Sequence, residues 1–182
     1  MPERFRTILL NPESPKCDNG CYYFLLKGKT PDNRSYTFKI RNVPQDSILL
    51  RIDDSFPPAD KLLKEDGGIR ERADYAIISE KNNNRRILII EISAANKPDS
   101  YIKRQLRGGI CVLEYCSAVY EKFYSGDKVL KEFQIHYAGI KDMKGQKYET
   151  AFKKSSRDNV KIDNFSKIPI KKMQVDYKCL VN

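Results

Sequence analysis

The feature that most constrains the fold is an uninterrupted aliphatic run, Ile87–Ile90, within the sequence RILIIEIS at residues 86–93. A run without a polar face predicts a central strand that is covered on both sides. The polar turn EKNNNR precedes it, and DYAIIS at residues 74–79 predicts a strand just before that turn. We therefore expect the chain to fold around a central sheet in which these two strands are neighbours.

A long amphipathic helix is predicted directly after this strand. Ser100 is the predicted N-cap of a helix over residues 101–124. Apolar residues recur along it at helical spacing, at Ile102, Leu106, Ile110, Leu113 and Tyr120. Gly108 and Gly109 weaken helix propensity, so their position predicts close packing against the sheet. A strand at Glu132–Ile140 follows, and the order strand, helix, strand predicts a crossover unit.

The N-terminal part is dominated by a predicted β-hairpin. Its strands are CYYFLLK at residues 21–27 and SYTFKI at residues 35–40, and a polar, turn-forming segment joins them. SILLRI at residues 47–52 predicts a third strand or a helical turn. The proline-rich lead-in before the hairpin predicts irregular structure with a short strand at Thr7–Leu10.

No repeat or linker divides the chain, so we expect a single domain over residues 1–182. It comprises an N-terminal β-hairpin region at 1–56, a core at 59–140 and a basic C-terminal region at 141–182. Short helices are predicted at residues 59–66 and near 148–154. One or two terminal strands are predicted between residues 167 and 181.

The charge of the chain favours a polyanionic partner. The 34 basic residues exceed the 24 acidic ones by 10, and residues 141–182 contain eleven Lys and Arg against five Asp and Glu. Such an excess is typical of nucleic-acid binding, with ordinary solubility as the alternative. No apolar segment is long enough to span a membrane or to act as a signal peptide, so a cytoplasmic location is expected.

Several kinds of catalytic site are excluded by composition. With one histidine, His136, a metal site of several histidines is impossible. The chain contains neither a glycine-rich phosphate loop nor a dinucleotide-binding fingerprint. His136 lies in an apolar predicted strand, where a structural role is favoured over that of a catalytic base.

Carboxylates remain as the candidate chemical groups. Asp74 begins one predicted strand, and Glu91 lies near the end of its antiparallel neighbour, so the two should converge. Converging hard oxygen ligands are what Mg²⁺ requires, and the ion would activate water beside a phosphate. A buried glutamate is costly without a partner. The alternative is therefore a salt bridge from Glu91 to Lys97, Arg86 or Arg104.

These residues carry a resemblance to a known family. The pattern RADYAII, a polar turn, ILIIEIS and then a helix containing QL resembles the PD-(D/E)xK nuclease superfamily. The resemblance covers roughly residues 59–140. It implies an α/β (α+β) fold with a mixed central sheet flanked by helices, as in restriction endonucleases. It also implies that Asp74 and Glu91 bind Mg²⁺ or Mn²⁺ and that Gln105 completes the site. Glu65 is the nearest match to a further acidic ligand, ahead of Asp60 and Glu71.

One residue departs from the family pattern. The motif lysine two positions after the glutamate is replaced here by Ser93, whose hydroxyl group carries no positive charge. Either Lys97 takes over the role of the motif lysine, or the site is weak or inactive. The candidate catalytic residues are therefore Lys97, Gln105 and Ser93. Basic residues could contact the phosphate backbone without sequence specificity, or form a solvated face. These candidates are Lys103, Arg104, Arg107, Lys153 and Lys154.

Three hypotheses about function follow. The first is Mg²⁺-dependent hydrolysis of nucleic-acid phosphodiesters, DNA more than RNA, in a context such as restriction or phage defence. The second is an inactive nuclease-like module that binds nucleic acid or a partner protein. The third is an unrelated interaction module in which the two carboxylates are merely paired. A homo-oligomer or a larger complex is compatible with each hypothesis.

Overall fold

The structure is mixed α+β, as the sequence predicts, but it contains two mixed sheets where one central sheet flanked by helices was expected. The computed structural model describes residues 2–9, 11–29, 33, 35–56, 63, 68–93, 97–124, 129–141, 162–169 and 174–181. Its helices are α1 (Pro2–Ile8), α2 (Ile52–Ser55), α3 (Asp99–Tyr124) and α4 (Lys178–Val181). Its strands are β1 (Lys16–Asp18), β2 (Cys21–Lys29), β3 (Ser35–Arg41), β4 (Ile48–Arg51), β5 (Tyr75–Lys81), β6 (Asn84–Ser93), β7 (Gln134–Lys141), β8 (Ser166–Pro169) and β9 (Gln174–Asp176). Among the described residues, no helix is long and apolar enough to cross a membrane.

A five-stranded sheet forms the middle layer, with the strand order β4-β5-β6-β7-β8. The pairs β4–β5 and β5–β6 are antiparallel, whereas β6–β7 and β7–β8 are parallel. The aliphatic run Ile87–Ile90 lies in the central strand and has no exposed surface. The prediction of a central strand covered on both faces is confirmed, because a run that is apolar at every position suits only such a strand.

Helix α3 covers one face of this sheet. Ile102, Leu106 and Leu113 pack in one apolar cluster with Ile87 and Ile89 of β6. The helix connects β6 to its parallel neighbour β7, so the predicted crossover unit is confirmed. The described helix begins at Asp99, which places Ser100 in its first turn.

The paired glycines of α3 permit a close approach to the chain just before β5. A Cβ atom at Gly108 would collide with the carbonyl oxygen of Glu71. One at Gly109 would lie 2.8 Å from Ala73 Cβ and 2.8 Å from Ile89 Cγ2. The predicted close packing is therefore confirmed, and it fixes the segment that leads into Asp74.

A second, four-stranded sheet covers the opposite face of the central sheet. Its strand order is β1-β2-β3-β9, and β2 and β3 form the predicted hairpin. Phe24, Leu26 and Phe38 from this sheet pack with Leu88 and Ile90 of β6. The C-terminal region supplies strands to both sheets, since β8 pairs with β7 and β9 pairs in parallel with β3.

Two local predictions for the N-terminal part are refined by the structure. The expected strand at Thr7–Leu10 is wrong, because helix α1 covers Pro2–Ile8. Phe5 and Leu9, one helical turn apart, both pack into the cluster beneath α3. The segment 47–52 forms the expected strand, β4, and α2 begins only at its last residue, Ile52. The helices predicted at 59–66 and near 148–154 fall almost wholly outside the described residues.

Candidate metal and phosphate site

The two carboxyl groups predicted to converge lie side by side. The β5–β6 register pairs Tyr75 with Ile90, which places Asp74 opposite Glu91 at the next position. Strand alternation directs both toward α3, on the face of Ile89. The Asp74 side chain also accepts a hydrogen bond from the backbone N–H of Ile92, with Oδ2 2.6 Å from the nitrogen.

Burial makes this pair electrostatically unfavourable when both groups are ionised. Glu91 is 5% exposed, and its Oε2 atom has no hydrogen-bond partner in the described part of the chain. Burial raises the pKa of Glu91 strongly, and the charge of Asp74 raises it further. Burial likewise raises the pKa of Asp74, although the hydrogen bond from Ile92 opposes the shift. At neutral pH the pair therefore retains a proton unless a cation replaces it.

The alternative salt bridges of Glu91 do not form among the residues that the structure describes. Arg104 pairs instead with Glu71, at 3.1 Å. Lys97 is exposed, and its Nζ lies 5.0 Å from the centre of the Tyr101 ring. Arg86 lies on the opposite face of β6 by strand alternation. Glu91 is thus buried beside another acid instead of a cation.

The predicted helical glutamine, Gln105, is linked to the carboxyl pair by Tyr101. Gln105 is buried at 9% exposure and hydrogen-bonds to the Tyr101 side chain. Burial raises the pKa of Tyr101, and the charge of Glu91 adds to that shift. Gln105, Tyr101 and Glu91 are therefore parts of one local cluster.

A lysine missed by sequence reasoning lies beside Ser93. The parallel register of β6 and β7 pairs Ser93 with Lys141, and Glu91 with Gly139, on the same face of the sheet. Lys141 is 7% exposed, and its Nζ donates a hydrogen bond of 2.8 Å to Asp99 Oδ1. Lys141 directly follows the strand predicted at Glu132–Ile140, and the structure extends that strand to include it. Only the pairing of β7 with β6 brings Lys141 next to Ser93, the position at which the family has its motif lysine.

Asp74 also lines an open cleft whose other walls come from the β2–β3 hairpin, from Arg51 and from α2. The cleft has a volume of about 580 Å³. Its lining includes Lys27, Lys29, Arg51, Tyr36, Asp53 and Asp54. The Tyr75 hydroxyl bonds to both the backbone N–H and the C=O of Lys27, at 3.0 and 2.7 Å, and so holds the hairpin over the cleft. The exposed Lys27 and Lys29 of the hairpin therefore line the same cleft as Asp74, which the sequence did not predict.

The predicted phosphate-binding residues are only partly available for binding. Lys103 pairs with Asp163 at 3.0 Å, and Arg104 pairs with Glu71, whereas Arg107 is exposed. Glu65, Lys153 and Lys154 lie outside the described residues. Within the described residues, no three His, Cys, Asp or Glu side chains form a group that could hold a metal ion.

His136 has the environment of a structural residue. It is 5% exposed, and burial followed by the nearby Arg86 charge lowers its pKa to about 4. Strand alternation places it on the same face of β7 as Ala138 and Ile140, which is the face opposite the carboxyl pair.

Comparisons with known proteins identify no relative. No protein-family model matches the chain, and no curated protein or solved structure is significantly similar to it.

Proposed function

We propose that this protein is a Mg²⁺- or Mn²⁺-dependent nuclease with a restriction-endonuclease-like fold, acting on nucleic acid and on DNA in preference to RNA. The observation that carries the proposal is the Asp74–Glu91 pair, in which Glu91 is buried and its Oε2 has no partner among the described residues. Asp74 lines a cleft that also contains Lys27, Lys29 and Arg51, together with Asp53 and Asp54. A cytoplasmic defence function, such as restriction of phage DNA, fits this proposal.

The residues present fit a divalent cation. Asp74 and Glu91 offer adjacent hard oxygen atoms, and the unpartnered Oε2 is a coordination position that no described protein group uses. A bound dication would also replace the proton that burial otherwise favours. Mg²⁺ held there would supply an activated water and stabilise negative charge on the phosphate.

The surrounding side chains have separate tasks in this proposal. Lys141, not Lys97, supplies the positive charge near Ser93, because it is buried on the correct face whereas Lys97 is exposed. Gln105 and Tyr101 orient the carboxyl pair. Lys27 and Lys29 contact the substrate backbone as it crosses the cleft, without reading its sequence.

Cleavage assays test the proposal directly. Purified protein is incubated with plasmid and with single- and double-stranded oligonucleotides in Mg²⁺, Mn²⁺ or EDTA. We expect metal-dependent cleavage that is lost in Asp74→Asn and Glu91→Gln. Asp46→Asn is the matched control, because Asp46 is an exposed acid outside the described cleft and should leave the rate unchanged. Cleavage that persists in both site variants would contradict the assignment.

A second function is favoured by the serine at position 93 and by the lack of a third described metal ligand. In that case the protein binds nucleic acid or a partner protein without cutting. Salt-sensitive binding without cleavage, retained in Glu91→Gln but weakened in Lys27→Gln, would support this function. The absence of both binding and cleavage would leave only the unrelated interaction module.

A further inference from the structure

A second buried polar cluster lies on the other face of the central sheet. Ser79 of β5 and Arg86 of β6 are direct neighbours in the sheet register, and Tyr177 covers them just after β9. The hydroxyl oxygens of Ser79 and Tyr177 are 2.6 Å apart, and each residue is 2% exposed. These three residues line a cavity of about 160 Å³.

The cluster contains hydrogen-bonding capacity that the described protein does not satisfy. Arg86 Nε is buried and has no hydrogen-bond partner among the described residues, and the same holds for Nε2 of the nearby His136. Leaving a guanidinium N–H buried without an acceptor is unfavourable. An unpartnered donor in the wall of a cavity therefore points to an acceptor that the chain itself does not supply.

The charge of the cavity wall indicates the sign of that ligand. Lys81 and Lys178 line the cavity with Arg86, and no Asp or Glu is present among its described lining residues. His136 remains neutral above about pH 4, so it does not compete with the arginine for an anion. A guanidinium group, two ammonium groups and a tyrosine–serine hydroxyl pair together suit an oxyanion.

The cavity is joined to a larger cleft through which such a ligand can enter. Six of its lining residues also line a neighbouring cleft of about 1100 Å³. These shared residues are Asn42, Val43, Pro44, Lys81, Asn82 and Lys178. A group the size of phosphate fits the small cavity, and the larger cleft has room for whatever the phosphate is attached to.

We propose that this cavity is a phosphate-binding site in which Arg86 and the Ser79–Tyr177 hydroxyl pair contact the oxygens. Lys81 and Lys178 attract the anion at the entrance. The site is independent of the carboxyl pair, since it lies on the opposite face of β6. Its ligand is either free phosphate or the terminal phosphate of a nucleotide, because both present the same oxyanion.

Calorimetric titration tests this site on the full chain. Inorganic phosphate is titrated at constant ionic strength into the wild type, Arg86→Gln and Arg86→Lys. We expect saturable binding to the wild type and at least a tenfold weaker Kd in both variants, since Lys lacks the fork of N–H groups. Arg85→Gln is the matched control, because Arg85 is adjacent in β6 but pairs with Glu80 and Glu132. It should change the Kd by less than twofold.

A nucleoside 5′-monophosphate and its unphosphorylated nucleoside separate the two sources of phosphate. Tighter binding of the monophosphate than of inorganic phosphate assigns the large cleft to the nucleoside, whereas equal binding assigns the site to free phosphate. Wild-type protein that binds neither anion overturns the proposal. Binding that is unchanged in both Arg86 variants also overturns it. If an Arg86 variant fails to fold, Tyr177→Phe and Lys178→Gln must each weaken phosphate binding for the proposal to stand.

Discussion

Strand β6 places on each face of the central sheet one buried polar atom that has no hydrogen-bond partner among the described residues, and the two atoms differ in kind. On the α3 face, Glu91 lies beside a second acid, Asp74, with one oxygen unpartnered. On the other face, Arg86 lies beside Ser79 and Tyr177, with its Nε unpartnered. Among the described residues, the first cluster therefore has an unpartnered acceptor and the second an unpartnered donor.

This difference shows how one strand can serve two ligands of opposite charge. Because side chains alternate, the residues at positions 86 and 91 of β6 face different layers. The residues between these two positions, Ile87–Ile90, are apolar and have no exposed surface. Each cluster should therefore respond to its own ligand and be insensitive to changes in the other.

The largest effect is expected from Gly108→Ala. The added Cβ would collide with the Glu71 carbonyl, and neither backbone can yield easily, so we expect a loss of about 3 kcal/mol in the free energy of unfolding. Displacement of the Glu71–Asp74 segment should also abolish stabilisation by Mg²⁺ while stabilisation by phosphate persists. Chemical denaturation with and without each ligand measures both. Glu114→Ala, at an exposed position of α3, is the control. Loss of both ligand responses would show that the faces are not independent.

Exchange of the two candidate lysines is expected to have the next largest effect. Lys141→Met should lower the rate of metal-dependent cleavage about 100-fold, or about 2.7 kcal/mol in the activation barrier, because it removes the buried charge beside Ser93. Asp99 keeps its ion pair with Lys167, which limits the structural damage. Lys97→Met should change the rate less than about twofold. Single-turnover kinetics decides between them, and a larger effect from Lys97 would restore the assignment made from sequence.

Removal of one acid from the carboxyl pair should stabilise the metal-free protein. The raised pKa of Glu91 means that the folded state holds its proton above the ordinary value of 4.5. The contribution of protonated Glu91 to the free energy of unfolding is therefore fully present below that pH and declines as the pH rises. At pH 8 the free energy of unfolding of Glu91→Gln should exceed that of the wild type by about 1–2 kcal/mol, and at pH 4 the two should be equal. Thermal unfolding across this range measures the difference. Mg²⁺ should narrow the gap at pH 8 by stabilising only the wild type, and a gap independent of pH would contradict the burial argument.

The smallest effect is expected from Tyr177→Phe. Loss of the Tyr177 hydroxyl group leaves the buried Ser79 hydroxyl without this partner, which should lower the free energy of unfolding by about 1 kcal/mol. Phosphate binding should weaken, and the response to Mg²⁺ should stay unchanged. Urea denaturation and phosphate titration measure the two effects. Tyr115→Phe is the control, since Tyr115 is 64% exposed.

The carboxyl pair was predictable from sequence because local chemistry fixes its register. Lys81 pairs with Asn84, and the two turn residues Asn82 and Asn83 adopt positive φ values of 51° and 62°. Asparagine tolerates this conformation, which a two-residue hairpin turn requires. With the turn set, alternation places Asp74 opposite Glu91. The strand at Thr7–Leu10 was wrong because a short apolar segment has no periodicity that separates helix from strand.

Lys141 and the phosphate cavity were not predictable in the same way. Lys141 is 48 residues from Ser93 along the chain. Its register depends on how α3 packs before β7 returns to the sheet. Tyr177 reaches Ser79 only because β9 pairs with β3, across a sequence separation with no local signal. Such contacts depend on loop closure and on the packing of whole layers.

The sequence by itself therefore determined the central strand, its hairpin partner, the long helix and the convergence of two acids. Each of these rests on interactions between residues that are close in the chain. The tertiary structure alone decided which lysine stands beside Ser93, that the hairpin lines the cleft, and that Arg86 Nε is buried without a partner among the described residues. These outcomes follow from parallel pairing and from burial between layers, which local sequence patterns do not specify.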